Sequence, residues 1–151
     1  QLKLSWMIAL GPEPARTELL NGLEWVSDLF LSVSTPVQNA LPRLLSARRS
    51  FQARVRERLS ENLDLLARLV KSRPAIHHLR AEGGWSAVVR MPRSLTDEAW
   101  ALELLRRDVV VHPGLFYDFR DEEHLVLSLL PEPAVFASGL MRLGDASASS
   151  E

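Results

Sequence analysis

The chain has 151 residues, 18 Lys+Arg against 19 Asp+Glu for a formal net charge of −1, and no cysteine. That length is one domain's worth and suffices to bury roughly two thirds of the unfolded surface, so no disulfide or metal staple is needed. The balanced charge offers no electrostatic case for nucleic acid, the missing cysteines exclude disulfides, zinc–thiolate sites and a thiol nucleophile, and the uncharged stretches 7–11 and 29–42 are too short or too polar to span a bilayer.

Leu2, Leu4, Trp6, Ile8 and Leu10 alternate with Lys3, Ser5, Met7 and Ala9, the period of a strand, and Gly11-Pro12 ends it. This start lacks the small-residue cleavage pattern of a signal peptide, so the expectation is a soluble, cytoplasmic protein. It also opens in mid-strand, as a cut point in a longer polypeptide would. From Pro14 to Leu31 the residues Leu19, Leu20, Leu23, Val26, Leu29 and Phe30 fall at helical spacing. Thr35-Pro36-Val37-Gln38 reads as a capping box opening a second helix, with Ala40, Leu41, Leu44 and Leu45 on its buried side. A third helix is predicted over 50–72, where Phe51, Val55, Leu59, Leu63, Leu66 and Val70 make one stripe opposite Arg54, Arg58, Glu61, Asp64 and Arg68.

After Pro74 the texture changes to short extended pieces. Two strands, 76–80 and 85–91, flank a Gly83-Gly84 turn. Thr96 caps a helix over 97–107, with Leu95 and Trp100 placed as a hydrophobic staple. Strands follow at 109–111 and 125–129, separated by the His112-Pro113-Gly114 turn; a helix over 131–143 closes the fold, and the Ser/Ala-rich tail 144–151 reads as flexible. This order describes an α+β fold, helices packed on a small, mainly antiparallel sheet.

Few residues offer chemistry by spacing alone. The histidines at 77, 78, 112 and 124 make no His-Glu-x-x-His pair, so no metal site is expected. Asp121, Glu122, Glu123 and His124 read as a solvated acidic loop before a strand rather than a carboxylate dyad. No Gly-x-Ser-x-Gly elbow or phosphate-cradling glycine loop occurs. Lys3 stands in an apolar strand, where it either needs an anionic partner or sits in water on an edge. The segment His112 to Tyr117 joins a sharp turn to aromatics, as a pocket wall or a core corner would.

Together, Gln1-Leu2-Lys3-Leu4-Ser5-Trp6-Met7, Ser34-Thr35-Pro36-Val37-Gln38, Glu82-Gly83-Gly84-Trp85, Val110-Val111-His112-Pro113-Gly114-x-x-Tyr117 and Leu125-x-Leu127-Ser128 resemble, in this order, the C-terminal part of class I/II, fold type I pyridoxal phosphate-dependent aminotransferases. The resemblance implies a residual large-domain strand over 1–11, a helical connection over 12–46, a C-terminal small domain over 47–143 and the tail 144–151. It implies pyridoxal 5'-phosphate as cofactor of the complete parent, with Lys3 on the basic position that binds the cofactor phosphate. It places the Schiff-base lysine before Gln1, so the segment alone is expected to be inactive. The partners it implies are an amino acid, a 2-oxo acid, the N-terminal domain and a second subunit in a homodimer.

Two positions depart from that pattern. Val126 occupies the place of the arginine that usually clamps the substrate carboxylate, and a valine cannot form that ion pair. Arg90 is the candidate replacement, because Trp85, Ala87, Val89 and Met91 would share one face of their strand and leave Ser86, Val88 and Arg90 on the other. Tyr117 stands where phenylalanine is common and is expected to shape the substrate site. The competing readings are a lyase or regulator of the same fold, and a freestanding α+β interaction or ligand-binding module.

Overall fold

The computed structural model describes residues 3–30, 33–119 and 123–148. The chain divides into two compact units, Gln1–Ser50 and Phe51–Glu151.

In the first unit, the alternating segment does not become a strand. Residues 3–10 pair with nothing as a ladder, Lys3 is exposed, and Trp6, Met7, Ile8 and Leu10 are exposed with it. Alternation gives a chain two distinct faces, but a strand exists only where a neighbour accepts its backbone hydrogen bonds, and no described residue before His77 is in a strand. Leu2 lies outside the described residues. Helix α1 spans Ala15–Leu29 and buries none of its residues, so its apolar stripe is real as a pattern but uncovered; Leu31 lies outside the described residues. Helix α2 spans Thr35–Ser72. At its start the Ser34 carbonyl accepts the N–H groups of Val37 and Gln38, and the Gln38 side-chain amide donates to the Val33 carbonyl at 2.9 Å. Gln38 thus holds the residues before the helix, rather than closing a box on Thr35.

The two helices expected over 35–45 and 50–72 are one continuous helix of 38 residues, with Pro42 inside it. Ser-Ala-Arg-Arg, between the two apolar patterns, contains no breaker, so the hydrogen-bond ladder runs through. The Ser46 hydroxyl donates back to the Pro42 carbonyl at 2.9 Å.

In the second unit, four strands form one antiparallel sheet in the order β1-β2-β4-β3: β1 His77–Leu79, β2 Ser86–Arg90, β3 His112–Pro113 and β4 His124–Ser128. Between β2 and β3 lies α3, Asp97–Leu105. Helix α4, Pro133–Ala148, follows β4. Ala87, Val89, Leu125 and Leu127 form one face of the sheet and meet Leu66 of α2, Trp100 and Leu104 of α3, and Phe136, Leu140 and Leu143 of α4 in a single core. The helices therefore cover one face, as the element order implied, and the other face is left to Ser86, Val88, Arg90, His124, Val126 and Ser128.

Three boundaries differ from expectation. The ladder forms at His112–Pro113 and not over 109–111, because His112 and Pro113 are the residues opposite Val126 and Leu125. The stripe of α2 turns toward a fully buried Asn62 beside Leu66, while Phe51 and Leu63 face outward. The Asn62 amide nitrogen is satisfied there, donating to the carbonyls of Leu129 and Pro131, both at 2.9 Å. Finally, the helical part of the predicted flexible tail is ordered: α4 runs to Ala148 and buries Gly144, Ala146 and Ser147. A Cβ on Gly144 would lie 3.0 Å from Leu69 Cδ1, so this end of α4 packs closely against the Leu69 side chain. Residues 149–151 lie outside the described residues.

No helix among the described residues is long and apolar enough to cross a membrane. Among those residues no group of three His, Asp or Glu could hold a metal ion.

Candidate functional site

The face of the sheet turned away from the helices carries Ser86, Val88, Arg90, His124, Val126 and Ser128, of which His124 and Val126 are buried. In antiparallel strands, residues directly opposite one another project to the same side. Val126 pairs with Val88 on one flank and His112 on the other. One step along, Arg90 is opposite both His77 and His124. Arg90 therefore shares a face with Val126, one row away and on the adjacent strand. The alternation read from 85–91 holds for Ala87, Val89 and Met91, which are buried, whereas Trp85 before the strand is 62% exposed.

The wall of this face is the segment after β3. Gly114–Tyr117 makes a turn of 3-10 helix, and Asp118, with φ of 57°, reverses the chain. Aspartate tolerates that left-handed conformation better than most side chains. The reversal brings Phe119 onto His124, with ring centroids 4.8 Å apart and nearly parallel planes. Gly114 makes this possible: a Cβ there would lie 2.9 Å from His124 Cβ and 3.0 Å from the His124 carbonyl oxygen. Tyr117 places its hydroxyl 2.7 Å from Nδ1 of His112, and the two rings stack with centroids 6.0 Å apart. His112 and Tyr117 are both exposed, so this pair faces whatever approaches the sheet beside Val126.

What fixes the turn is Asp97, a residue whose sequence position announced only the start of a helix. Thr96 caps α3 as expected, its hydroxyl accepting the Ala99 N–H at 3.2 Å. Asp97, just inside, is buried, and its carboxylate accepts the N–H of Glu98 at 2.8 Å and of Leu115 at 2.6 Å. One carboxylate thus serves the helix N-terminus and the Pro-Gly turn together. The spacing between 97 and 115 carries no periodic signal, so only the fold reveals this link. Trp100 is fully buried and donates its indole N–H to the Pro92 carbonyl at 3.0 Å.

The acidic loop is not wholly solvated. Glu123 is buried and pairs with the Arg93 guanidinium, and its carbonyl accepts the Met91 N–H at 2.8 Å. Asp121 and Glu122 lie outside the described residues.

Of the three residues singled out in the sequence, Arg90 and Tyr117 lie in the second unit and border the same sheet face. Lys3 belongs to the first unit, where it is exposed and outside any strand. An exposed ammonium offers an anion a single point-charge contact rather than a cradle.

No family model and no curated protein matches the chain. Solved structures do. An alpha-aminoadipate aminotransferase, LysN, from Thermus thermophilus, complexed with N-(5'-phosphopyridoxyl)-L-leucine, superposes over 89% of this chain and 36% of its own, with a TM-score of 0.71 at 24% identity. Tyrosine aminotransferase from Leishmania infantum covers 91% of this chain and 35% of its own, with a TM-score of 0.80 at 19% identity. A PLP-dependent aminotransferase from Streptococcus suis, covering 91% of this chain and 36% of its own, gives 0.75 at 20% identity. This is the fold of part of a PLP-dependent aminotransferase. The chain spans a little over a third of the length of these aminotransferases.

Proposed function

We propose that this chain is the C-terminal segment of a pyridoxal phosphate-dependent aminotransferase whose complete form moves an amino group from an amino acid to a 2-oxo acid. The observation that carries the reading is the superposition of about nine tenths of the chain on aminotransferases, with TM-scores of 0.71 to 0.80. In that reading Lys3 neutralises part of the cofactor phosphate. Arg90 meets an anionic group of the substrate in place of the arginine that Val126 lacks, and Tyr117, held by His112, shapes the space beside it.

The cofactor, when bound, supplies the electron sink for the carbanion formed at the substrate α-carbon. This chain's residues bind and orient around that chemistry; none of them is assigned the proton transfer. The Schiff-base lysine and most of the cofactor cradle belong to the N-terminal domain in this reading, and the parent works as a cytoplasmic homodimer. The 151-residue chain alone is therefore expected neither to hold the cofactor tightly nor to transaminate.

The test is the full-length parent. Purified with pyridoxal phosphate, it is expected to carry the near-visible absorbance of the bound cofactor and to convert an amino acid to its 2-oxo acid when a 2-oxo acid acceptor is supplied. A colourless protein with no affinity for the cofactor would overturn the reading, as would a gene with no Ser-Lys a short distance upstream of Lys3.

A further inference from the structure

We propose that the cavity between α2 and the β1–β2 turn binds a free aliphatic amino acid as its zwitterion. The cavity measures about 290 Å³, close to the lower limit of the range of about 300–1,000 Å³ usual for small-molecule sites. Arg56, Leu59 and Leu63 line it from α2; spaced three and four residues apart, they share one face of that helix. His78 of β1 and Glu82 of the turn line it from the sheet side, and Leu129, buried just after β4, completes its apolar surface. None of Lys3, Arg90 and Tyr117 lines it, so the inference goes beyond the aminotransferase reading and does not rest on it.

Two features of the lining call for a polar guest. Arg56 and Glu82 bring opposite charges to it from two elements; both are exposed, and neither makes an ion pair or a side-chain hydrogen bond with a described residue. A guest of one sign would be drawn to one of them and repelled by the other. A guest carrying a carboxylate and an ammonium a few bonds apart is drawn to both, the carboxylate to the guanidinium fork and the ammonium to the Glu82 carboxylate. The second feature is His78, whose Nε2 is buried without a hydrogen-bond partner among the described residues. Cavities that stay dry are apolar throughout, whereas one beside an unsatisfied polar atom takes water or a polar guest. Leu59, Leu63 and Leu129 offer aliphatic surface between the charged groups, which suits a branched aliphatic side chain.

Calorimetric titration of the 151-residue chain with L-leucine tests the proposal without cofactor or turnover. Saturable one-site binding is expected, weakened about fivefold in Arg56→Gln and about fivefold in Glu82→Gln. Both side chains are exposed, so the variants should unfold at the urea midpoint of the parent chain. Isocaproate, which lacks the ammonium, and isoamylamine, which lacks the carboxylate, are each expected to bind at least about fivefold more weakly than leucine. Proton NMR locates the guest: leucine should shift the imidazole signal of His78 and leave that of His112, on the other face of the sheet beside Val126, in place. No leucine binding by the folded chain, affinity unchanged in either variant, isocaproate or isoamylamine binding as tightly as leucine, or a leucine response at His112 rather than His78 would each overturn the proposal.

Discussion

The carboxylate of Asp97 accepts the backbone N–H of Leu115 at 2.6 Å, tying the first residue of α3 to a turn eighteen positions away in sequence. Asp97 is buried and its bond to the Leu115 amide is partly so, and removing it takes away the acceptor shared by that amide and the helix N-terminus. Asp97→Ala is expected to destabilise the second unit by about 1–3 kcal/mol. Urea unfolding followed by Trp100 fluorescence would show it; an unchanged midpoint would mean that the turn is held by something else.

Gly114 sits where a methyl group has no room, 2.9 Å from His124 Cβ and 3.0 Å from the His124 carbonyl oxygen. Two of the three nearest atoms belong to β4, which cannot yield without distorting the ladder. Gly114→Ala is therefore expected to cost about 1–3 kcal/mol by overpacking and to displace Phe119 from the His124 ring. The His124 proton resonance, shielded by that stacked ring, should move downfield; a stable variant with an unmoved resonance would contradict the packing.

Asn62 shows how a polar residue comes to occupy a core stripe. Its amide donates to the carbonyls of Leu129 and Pro131, joining α2 to the segment between β4 and α4. Asn62→Leu keeps the side chain's approximate size and loses both donors, leaving two carbonyls without that partner. A loss of about 1–3 kcal/mol is expected, measured as a lowered urea midpoint. Equal or greater stability would show that removing the unpartnered Asn62 Oδ1 offsets the two lost hydrogen bonds.

The Glu103 carboxyl is held below its ordinary value by hydrogen bonds from Arg107 first and Arg106 second. A carboxylate whose folded pKa is depressed contributes stability that is present above its unfolded pKa and is lost as pH falls through the lower, folded value. Because Glu103 lies at the solvent surface, the effect is small and screened by salt. Glu103→Gln is expected to leave stability little changed below the carboxylate range and slightly reduced near neutrality. Paired unfolding curves at the two pH values, at low salt, would reveal the difference; a deficit confined to acid would reverse the assignment.

Lys3 is exposed, so its replacement should not disturb folding. In the full-length parent, Lys3→Ala is expected to weaken pyridoxal phosphate affinity about tenfold, the value of one charge-assisted contact, with unchanged thermal stability of the cofactor-free protein. Equilibrium dialysis would measure it, and unchanged affinity would remove Lys3 from the phosphate site.

Much of this architecture is legible from residue order. The shift from long apolar helical patterns to short extended pieces after Pro74 announces an α+β layer, and Thr96 and the Gly83-Gly84 turn mark their element ends from local chemistry alone. Alternation in 85–91 correctly sends Arg90 to the face away from Ala87 and Val89. Over 3–10 the same alternation is present without a strand, because no neighbouring strand exists among the described residues of that unit. Helix ends are also misread: α2 runs through Ser-Ala-Arg-Arg, where no breaker stands, and α4 continues past Gly144 to Ala148, with Gly144, Ala146 and Ser147 buried.

Sequence by itself determined the α+β class, the face on which Ala87, Val89 and Arg90 lie and the cap that starts α3, since these depend on neighbours within a few positions. Only the tertiary structure decided which strands meet, and therefore that His77, Arg90 and His124 form one row, that His112 stands across from Val126, and that Asp97 holds Leu115. Those relationships join residues far apart in the chain through register and burial, which no local pattern encodes.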